Sequence, residues 1–383
     1  MMLSPEEFSS GEGGKVEALA GQLRRIARER GPDGKMPTTR EIRDALGVGM
    51  ATLDNALSEL EEQGVIYRKH GVGIFVSPRI HRKTVAVLMD ASSFLAPGIS
   101  PFWGMIWGFL VREAQARAEQ EERDEEYVFN LVTVPSAGSD TPLPELLARG
   151  VEAGRVHAAL GVGLTAEAAD WLLRRGVPFV AFAGTSNRRV VLDGRAVVRE
   201  GVRALADHGC TRIGLWRPVP PYQAVHLEFI VHPEEIGAFG EALTERGLTL
   251  QSNLVRQSLH LIPHDGGKTT LTNQEQGFRL AMEVFGPGGE PVRRPDGIVS
   301  TDDMMTQGAL AAFDRLGVRV GEDVRIATHA NRGSHVLFGY EDRLARVEVD
   351  PEEIVRAMFA MLDRAFAGEA AGDYEVRLSA RRA

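Results

Sequence analysis

The sequence predicts an α/β chain: an N-terminal winged helix-turn-helix followed by a two-lobed domain of doubly wound parallel sheets. Three observations predict it. Short helix patterns before Gly64 are closed by glycine turns, and two apolar runs then flank Gly71-Val72-Gly73. From Lys83 onward, apolar strand-like runs alternate with amphipathic helices, which is the pattern of a parallel sheet. About ten such units exceed one comfortable open sheet, so two subdomains facing a cleft are expected.

Composition is consistent with this division. The chain has 383 residues, 43% hydrophobic and 25% charged, and one cysteine. At roughly 100 to 200 residues per domain that is two or three packed units, neither disordered nor fibrous. The net charge of −9 argues against binding polyanions over the whole surface. The first 82 residues, however, balance 12 Lys or Arg against 12 Asp or Glu, and Val65 to Lys83 holds Arg68, Lys69, Arg79, Arg82 and Lys83 with no acid. Any nucleic-acid contact is therefore local. The lone Cys210 excludes an intrachain disulfide, no leader pattern is visible, and Val156 to Leu173 is broken by His157, Glu167 and Asp170. A cytoplasmic protein without a membrane span is expected.

The first element follows from Leu19, Leu23, Ile26 and Ala27 at helical spacing, ending near Arg30 before Gly31-Pro32-Asp33-Gly34. Thr38 and Glu41 have capping-box spacing and open a second helix that buries Ile42 and Leu46 and stops at Gly47. Gly49 suits the N-cap of a third helix, with Leu53, Leu57 and Leu60 as its apolar stripe and Gly64 closing it. Val65-Ile66-Tyr67 and Ile74-Phe75-Val76 then form a hairpin wing. A small helical bundle serving protein contacts is the other reading of this region. The glycine-hinged wing beside a basic stripe favours DNA. Glu119 to Glu126 reads as a solvated face.

The runs Met36 to Ile42, Leu53 to Gly64 and Arg68 to Val76 resemble the GntR winged-helix family over about 65 residues. The resemblance implies that Thr38, Thr39 and Arg40 position the domain on the DNA backbone. Met50, Ala51, Thr52 and Asn55 would then face base edges, while Lys69, His70 and Gly71 serve the wing. The family often has arginine where this chain has Met50 and Asp54. Fewer guanine contacts and an operator leaning on A/T positions follow.

In the second part the expected strands are Val85 to Met89, Tyr127 to Val132, Ala158 to Gly161, Phe179 to Phe182, Val190 to Leu192, Arg212 to Leu215, Gly297 to Ser300 and Arg325 to Thr328, with a helix over Phe102 to Ala118. Ser100-Pro101-Phe102-Trp103, Arg175 to Val180, Val190 to Asp193, Leu205 to Ile213, Pro295 to Asp303, Gly308-Ala309-Leu310 and Gly317 to Ala327 resemble, in order, the LacI/GalR sensor, itself similar to periplasmic sugar-binding proteins. The resemblance spans most of residues 84–365. It implies domains at 1–77, a linker at 78–83 without the hinge helix of the LacI group, and a sensor at 84–383. Lobe 1 would comprise about 84–193 and 331–349, and lobe 2 about 194–330 and 350–383. GntR readers on such sensors occur in arabinose-type repressors.

The implied ligand set is Ser100, Phe102, Trp103, Trp216, Glu235, Thr272, Asp303 and Asn331, with Asp303 as the carboxylate that accepts from sugar hydroxyls and Phe102 or Trp103 as the ring cover. Glu235 stands where the family commonly has an arginine, which disfavours anionic ligands. The proline-rich stretch Trp216 to His232 reads as a ligand cover or as a plain surface loop. His264 and Gly266-Gly267-Lys268 lack the spacing of a phosphate loop. No nucleophile elbow, metal-ligand spacing or cofactor motif appears, so no enzyme, metal or cofactor is expected. The resulting expectation is a ligand-controlled DNA-binding repressor, a homodimer on a pseudo-palindromic operator, answering to a sugar. A solute-binding receptor or transport component is the alternative.

Overall fold

The computed structural model describes residues 12–95, 99–120, 124–133, 141–218, 233–257, 261–264, 267–369 and 374–383. Residues 1–87, 114–129 and 145–159 cluster as one compact unit, and 88–113, 130–144 and 160–383 as another. The proline-rich stretch expected over the ligand falls almost wholly on 219–232, outside the described residues.

The first unit opens with α1 (Glu12–Arg30), α2 (Thr39–Leu46), α3 (Met50–Glu62), β1 (Ile66–Lys69) and β2 (Gly73–Val76). Thr38 and Glu41 make both bonds of the capping box, and Gly47 ends α2 at φ 64°, a left-handed conformation that costs glycine little. Leu19, Leu23, Ile42, Leu53, Leu57, Leu60, Ile66 and Val76 form one buried cluster. The strands pair antiparallel from Ile66 with Val76 to Lys69 with Gly73. Lys35 bridges Phe75 on the other side. Residues 77–82 form turns rather than a helix.

The remaining elements are β3 (Lys83–Asp90), α4 (Ser92–Leu95), α5 (Pro101–Ala118), β4 (Glu125–Val132), α6 (Glu145–Glu152), β5 (Ala158–Val162), α7 (Ala166–Arg174), β6 (Phe179–Phe182), β7 (Arg188–Asp193), α8 (Gly194–Asp207), β8 (Ile213–Arg217), α9 (Pro233–Glu245), β9 (Val255–Gln257), β10 (Leu261–His264), β11 (Gly267–Thr270), α10 (Asn273–Phe285), β12 (Gly297–Ser300), α11 (Asp303–Leu316), β13 (Arg325–Asn331), β14 (Leu344–Val349), α12 (Pro351–Phe366), β15 (Tyr374–Ser379) and β16 (Arg381–Arg382). They build two six-stranded sheets, ordered β15-β7-β6-β5-β3-β4 and β16-β14-β13-β12-β8-β9. His264 and Lys268 lie on the two strands of the β10–β11 hairpin, with no helix start for a phosphate.

The expected lobe boundaries need correction. Residues 331–349 were expected in the first lobe, but β14 extends the second sheet, pairing in parallel with β13 from Ile326–Leu344 to Asn331–Val349. Leu344, Val347 and Val349 are buried, so the segment joins the nearest open edge through a short connection. Residues 350–383 were expected in the second lobe. Instead, α12 packs on β6 and β7 and β15 pairs with β7, leaving only β16 on the second sheet. Glu125 also departs from expectation: it is buried in β4, where the Tyr127 hydroxyl donates to it, rather than part of a solvated face.

Two apolar layers sandwich the second sheet. One, against α10 and α11, includes Trp216, Phe313, Ile298 and Ile326; the other, against α8 and α9, includes Val202, Phe239, Val299 and Ala327. α10 and α11 meet backbone to backbone at Gly277 and Gly308, where an added Cβ would fall 1.9 Å from the Met305 oxygen and 1.8 Å from the Gln274 oxygen. That close crossing fixes the start of α11, which carries Asp303.

Candidate functional site

In the winged helix, α3 turns Leu53, Ala56, Leu57 and Leu60 inward. Met50, Ala51 and Asn55 are therefore exposed along the other face, with Thr52 and Asp54 half-buried beside them. Arg40 is exposed and 3.7 Å from Asp44, a weak surface pair that leaves it able to turn to phosphate. Thr38 is engaged locally, since its hydroxyl accepts from the Glu41 amide at 3.2 Å and its own amide donates to Glu41 Oε2 at 2.8 Å. The Thr38 hydroxyl also donates to Glu41 Oε2 at 2.9 Å, and the two bonds to the carboxylate, the backbone one first, hold it below its ordinary range. Thr39 is half-buried in the first turn.

The wing places Lys69, His70 and Gly71 at an exposed tip, with Gly71 at φ 71° as the turn requires. Tyr67 and Phe75 stack at 5.7 Å beneath it, and the Lys69 ammonium lies over both rings, 5.6 and 5.3 Å from their centroids. The Tyr67 hydroxyl donates to Asp33 at 2.9 Å, tying this platform to the turn after α1. Two residues were missed from sequence. Lys35 sits 5.9 Å from the Phe75 ring, and Arg68 reaches back to α3, 3.2 Å from Glu61 and 3.4 Å from Ser58. Only the charge of each was visible beforehand; the pairing across the wing was not.

In the second unit, Asp303 is the first residue of α11 and Asn331 the last of β13, so adjacent strand ends bring them together. Both are buried, and Asn331 Nδ2 donates to Asp303 Oδ2 at 3.1 Å. Burial pushes the Asp303 carboxyl above its ordinary range, against the hydrogen bonds from Asn331 and the Met304 amide. Asp302 caps α11 through the Met305 amide at 2.7 Å and accepts from Asn273 Nδ2 at 3.0 Å. Burial, then the Asp303 charge, raise its pKa to about 6. His329 faces Asp302 and is held below its ordinary pKa by burial, with the Asp302 charge opposing. Asn331 Oδ1 and Asn273 Oδ1 are buried acceptors without a partner among the described residues. Asp303, Asn331 and Gly333 line a cavity of about 30 Å³. An added Cβ at Gly333 would lie 3.4 Å from Met105 Cε, so α5 faces the loop after Asn331.

At the start of α5, the Ser100 hydroxyl accepts from the Phe102 amide at 3.3 Å, and Phe102, Trp103 and Phe182 form an edge-to-face cluster with centroids 5.0 to 6.3 Å apart. Phe102 is buried, while Trp103 keeps partial exposure. Three expected ligand residues lie elsewhere in role. Trp216 belongs to the core, packed on Phe285 and Phe313 at 6.4 and 6.3 Å, because its alternate position along β8 points to the α10–α11 layer. Thr272 caps α10 in a complete capping box with Glu275, so its hydroxyl is already committed. Glu235 is 2.8 Å from Arg217, a largely buried pair at the end of β8. Glu235 thus neutralises an arginine at the end of β8. Cys210 is buried, its thiol pushed up to about 11 by desolvation, which leaves it unreactive. Among the described residues no cluster of His, Cys, Asp or Glu could hold a metal ion, and no helix is long and apolar enough to cross a membrane.

Comparison with known proteins agrees with the two parts of the fold. Residues 17–76 match the model of bacterial regulatory proteins of the gntR family, and residues 202–382 that of the periplasmic binding protein-like domain. The HTH-type transcriptional regulator reg1 of Streptomyces lividans is 30% identical over 207 residues, 50% of this chain and 52% of that protein. The chain therefore spans about half the length of that curated relative. Among solved structures, the transcriptional regulator CelR in its cellobiose complex superposes with a TM-score of 0.55 at 19% identity, covering 96% of this chain and 98% of the other. A LacI family regulator from Enterococcus faecium with bound ribose gives a TM-score of 0.51 at 17% identity over 79% and 97% of the two chains. The chain joins a winged helix-turn-helix domain of the gntR regulatory family to a periplasmic binding protein-like domain with the fold of LacI-type regulators.

Proposed function

We propose that the protein is a transcriptional repressor whose affinity for DNA is set by a small neutral sugar. The relatives named above are regulators, and two of the solved structures hold cellobiose or ribose. The observation that carries the ligand reading is the Asp303–Asn331 pair, buried at two strand ends with the Oδ1 acceptors of Asn331 and Asn273 unpaired nearby. Buried acceptors without donors cost about 1–3 kcal/mol each, and sugar hydroxyls are donors that would relieve that cost. Ser100, Phe102 and Trp103 would close the apolar side of the ring. The Arg217–Glu235 pair cancels its own charge, which argues against a phosphate ligand at this position.

A cavity of about 30 Å³ holds one water, not a hexose. The walls must part for the sugar, and a ligand shifts DNA affinity only through such a difference between states. Paired readers in a homodimer would address half-sites about one helical turn apart, with Met50, Ala51, Thr52 and Asn55 on the bases and Arg40, Lys69, His70 and Gly71 on the backbone. Calorimetry of neutral sugars and their phosphates against wild type and Asp303→Ala tests the ligand. Wild type should favour a neutral sugar and the variant should lose it at least tenfold; tighter binding of a phosphate, or an unaffected variant, would refute it.

A further inference from the structure

A hollow much larger than the one at Asp303 lies elsewhere in the second unit. It lies where the second sheet's strands begin, has a volume of about 860 Å³, and is lined by Arg325, Arg343, His208, Tyr340 and Asp342 among others. That volume falls in the range of small-molecule sites, roughly 300 to 1,000 Å³.

Its charges are organised. Leu344 pairs with Ile326; Arg325 is the first residue of β13, and Arg343 ends the short 3-10 turn (Glu341–Arg343) that leads into β14. Leu344 and Ile326 face α10 and α11, while Ala345 and Ala327 face α8. Strand alternation turns Arg325 to the α8 side, and the exposed Arg343 lines the same hollow from the turn ahead of β14. Among the described residues neither guanidinium has an acid within 4.0 Å, so two cations without an acid partner line one hollow. The hollow's other arginines are engaged: Arg319 with Glu322 and Asp323, Arg346 with Glu348 at 3.1 Å, and Arg382 with Asp207 at 3.3 Å. Its acids are mostly committed as well. Asp314 accepts from Tyr340, and Glu341 accepts from the Gly339 amide at 2.8 Å, leaving Asp342 exposed at the rim. The His208 Nδ1 is 2.8 Å from the Ala204 carbonyl, so Nδ1 carries the proton and Nε2 remains for a further contact. The C-terminal carbonyls of α8 attract cations but supply only about half a charge between them.

We infer that this hollow is a second binding site, for a small anion bearing a phosphate or carboxylate group held by the Arg325 and Arg343 guanidinium groups that line it. Two guanidinium groups without acid partners on one hollow suit an oxyanion that can accept from both. The site is independent of the sugar reading, since it uses none of the same residues.

The test is calorimetry on the full chain at constant ionic strength, titrating inorganic phosphate in one arm and citrate in the other, for wild type and for Arg325→Gln with Arg343→Gln. The arm that binds names the anion. Wild type should bind at least one of the two, and the double variant should lose at least tenfold in affinity while retaining its circular dichroism spectrum. Each single variant should lose part of the affinity, and these are the decisive comparison if the double variant does not fold. Lys69→Ala in the wing is the control for anion binding by the reader and should leave the titration unchanged. No binding of either anion to wild type, or equal binding by wild type and the arginine variants, would overturn the inference.

Discussion

Replacing Gly308 with alanine should drive α10 and α11 apart and loosen the Asp303 carboxylate with them. The added Cβ would sit 1.8 Å from the Gln274 carbonyl oxygen, and Gly277 faces the Met305 oxygen just as closely. Carbon and carbonyl oxygen settle at about 3.3 Å or more, so the helices must separate by more than about 1 Å. Overpacking of this kind costs about 1–3 kcal/mol. Alanine in a helix returns about 1 kcal/mol over glycine. The obstacle is backbone, which cannot rotate aside as a side chain could, so the net loss should be about 2 kcal/mol or more. For a domain of this size that lowers Tm by roughly 4–8 °C. Displacing the start of α11 also breaks the 3.1 Å Asn331–Asp303 bond, and ligand affinity should fall about tenfold. Gly237→Ala is the control: exposed in α9 with nothing within 4 Å of an added Cβ, it should raise stability by about 0.5–1 kcal/mol. Scanning calorimetry and ligand titration read both effects. A Gly308→Ala protein as stable as Gly237→Ala would refute the close crossing.

Thr38→Ala removes the hydroxyl half of the α2 capping box and should cost the winged helix about 1 kcal/mol, read by urea denaturation. Asp302→Asn tests the buried acid pair. Because the folded pKa of about 6 lies above the ordinary 3.8, protonated Asp302 stabilises the fold at low pH and that contribution is lost as pH rises through 6. The variant should therefore gain about 1–3 kcal/mol at pH 7.5 and little at pH 4, with His329, whose pKa burial lowers, opposing Asp302 as pH falls below its unfolded pKa. A Tm difference independent of pH would contradict this. Trp216→Phe should leave ligand affinity unchanged and stability within about 1 kcal/mol, since the lost volume is offset by removing a buried indole N–H that has no partner among the described residues.

The parts that were legible from sequence share a local cause. The Thr38–Glu41 box, the Gly47 and Gly71 turns, and the stripe of Leu53, Leu57 and Leu60 depend on neighbours a few residues away, and each stands where the pattern put it. What was not legible depends on contacts across long separations. β14 and β15 leave for different sheets although both are short alternating runs, because pairing partners, not propensity, decide which edge takes them. Trp216 at a strand end looked like a ligand residue until its side of the sheet was known. Asn273 was overlooked because the ligand reading fell on its neighbour Thr272, and only the fold puts Asn273 beside Asp302. Arg217 and Glu235, close in space, are separated in sequence by the proline-rich stretch, and no local spacing links them.

The most direct measurement is fluorescence anisotropy of the full protein on a labelled operator duplex, selected from random sequences, with and without a sugar that raises Tm in a thermal-shift screen. Saturating sugar should weaken operator binding at least tenfold in wild type and leave it unchanged in Asp303→Ala. An operator affinity indifferent to a sugar that the protein demonstrably binds would contradict a ligand-controlled repressor.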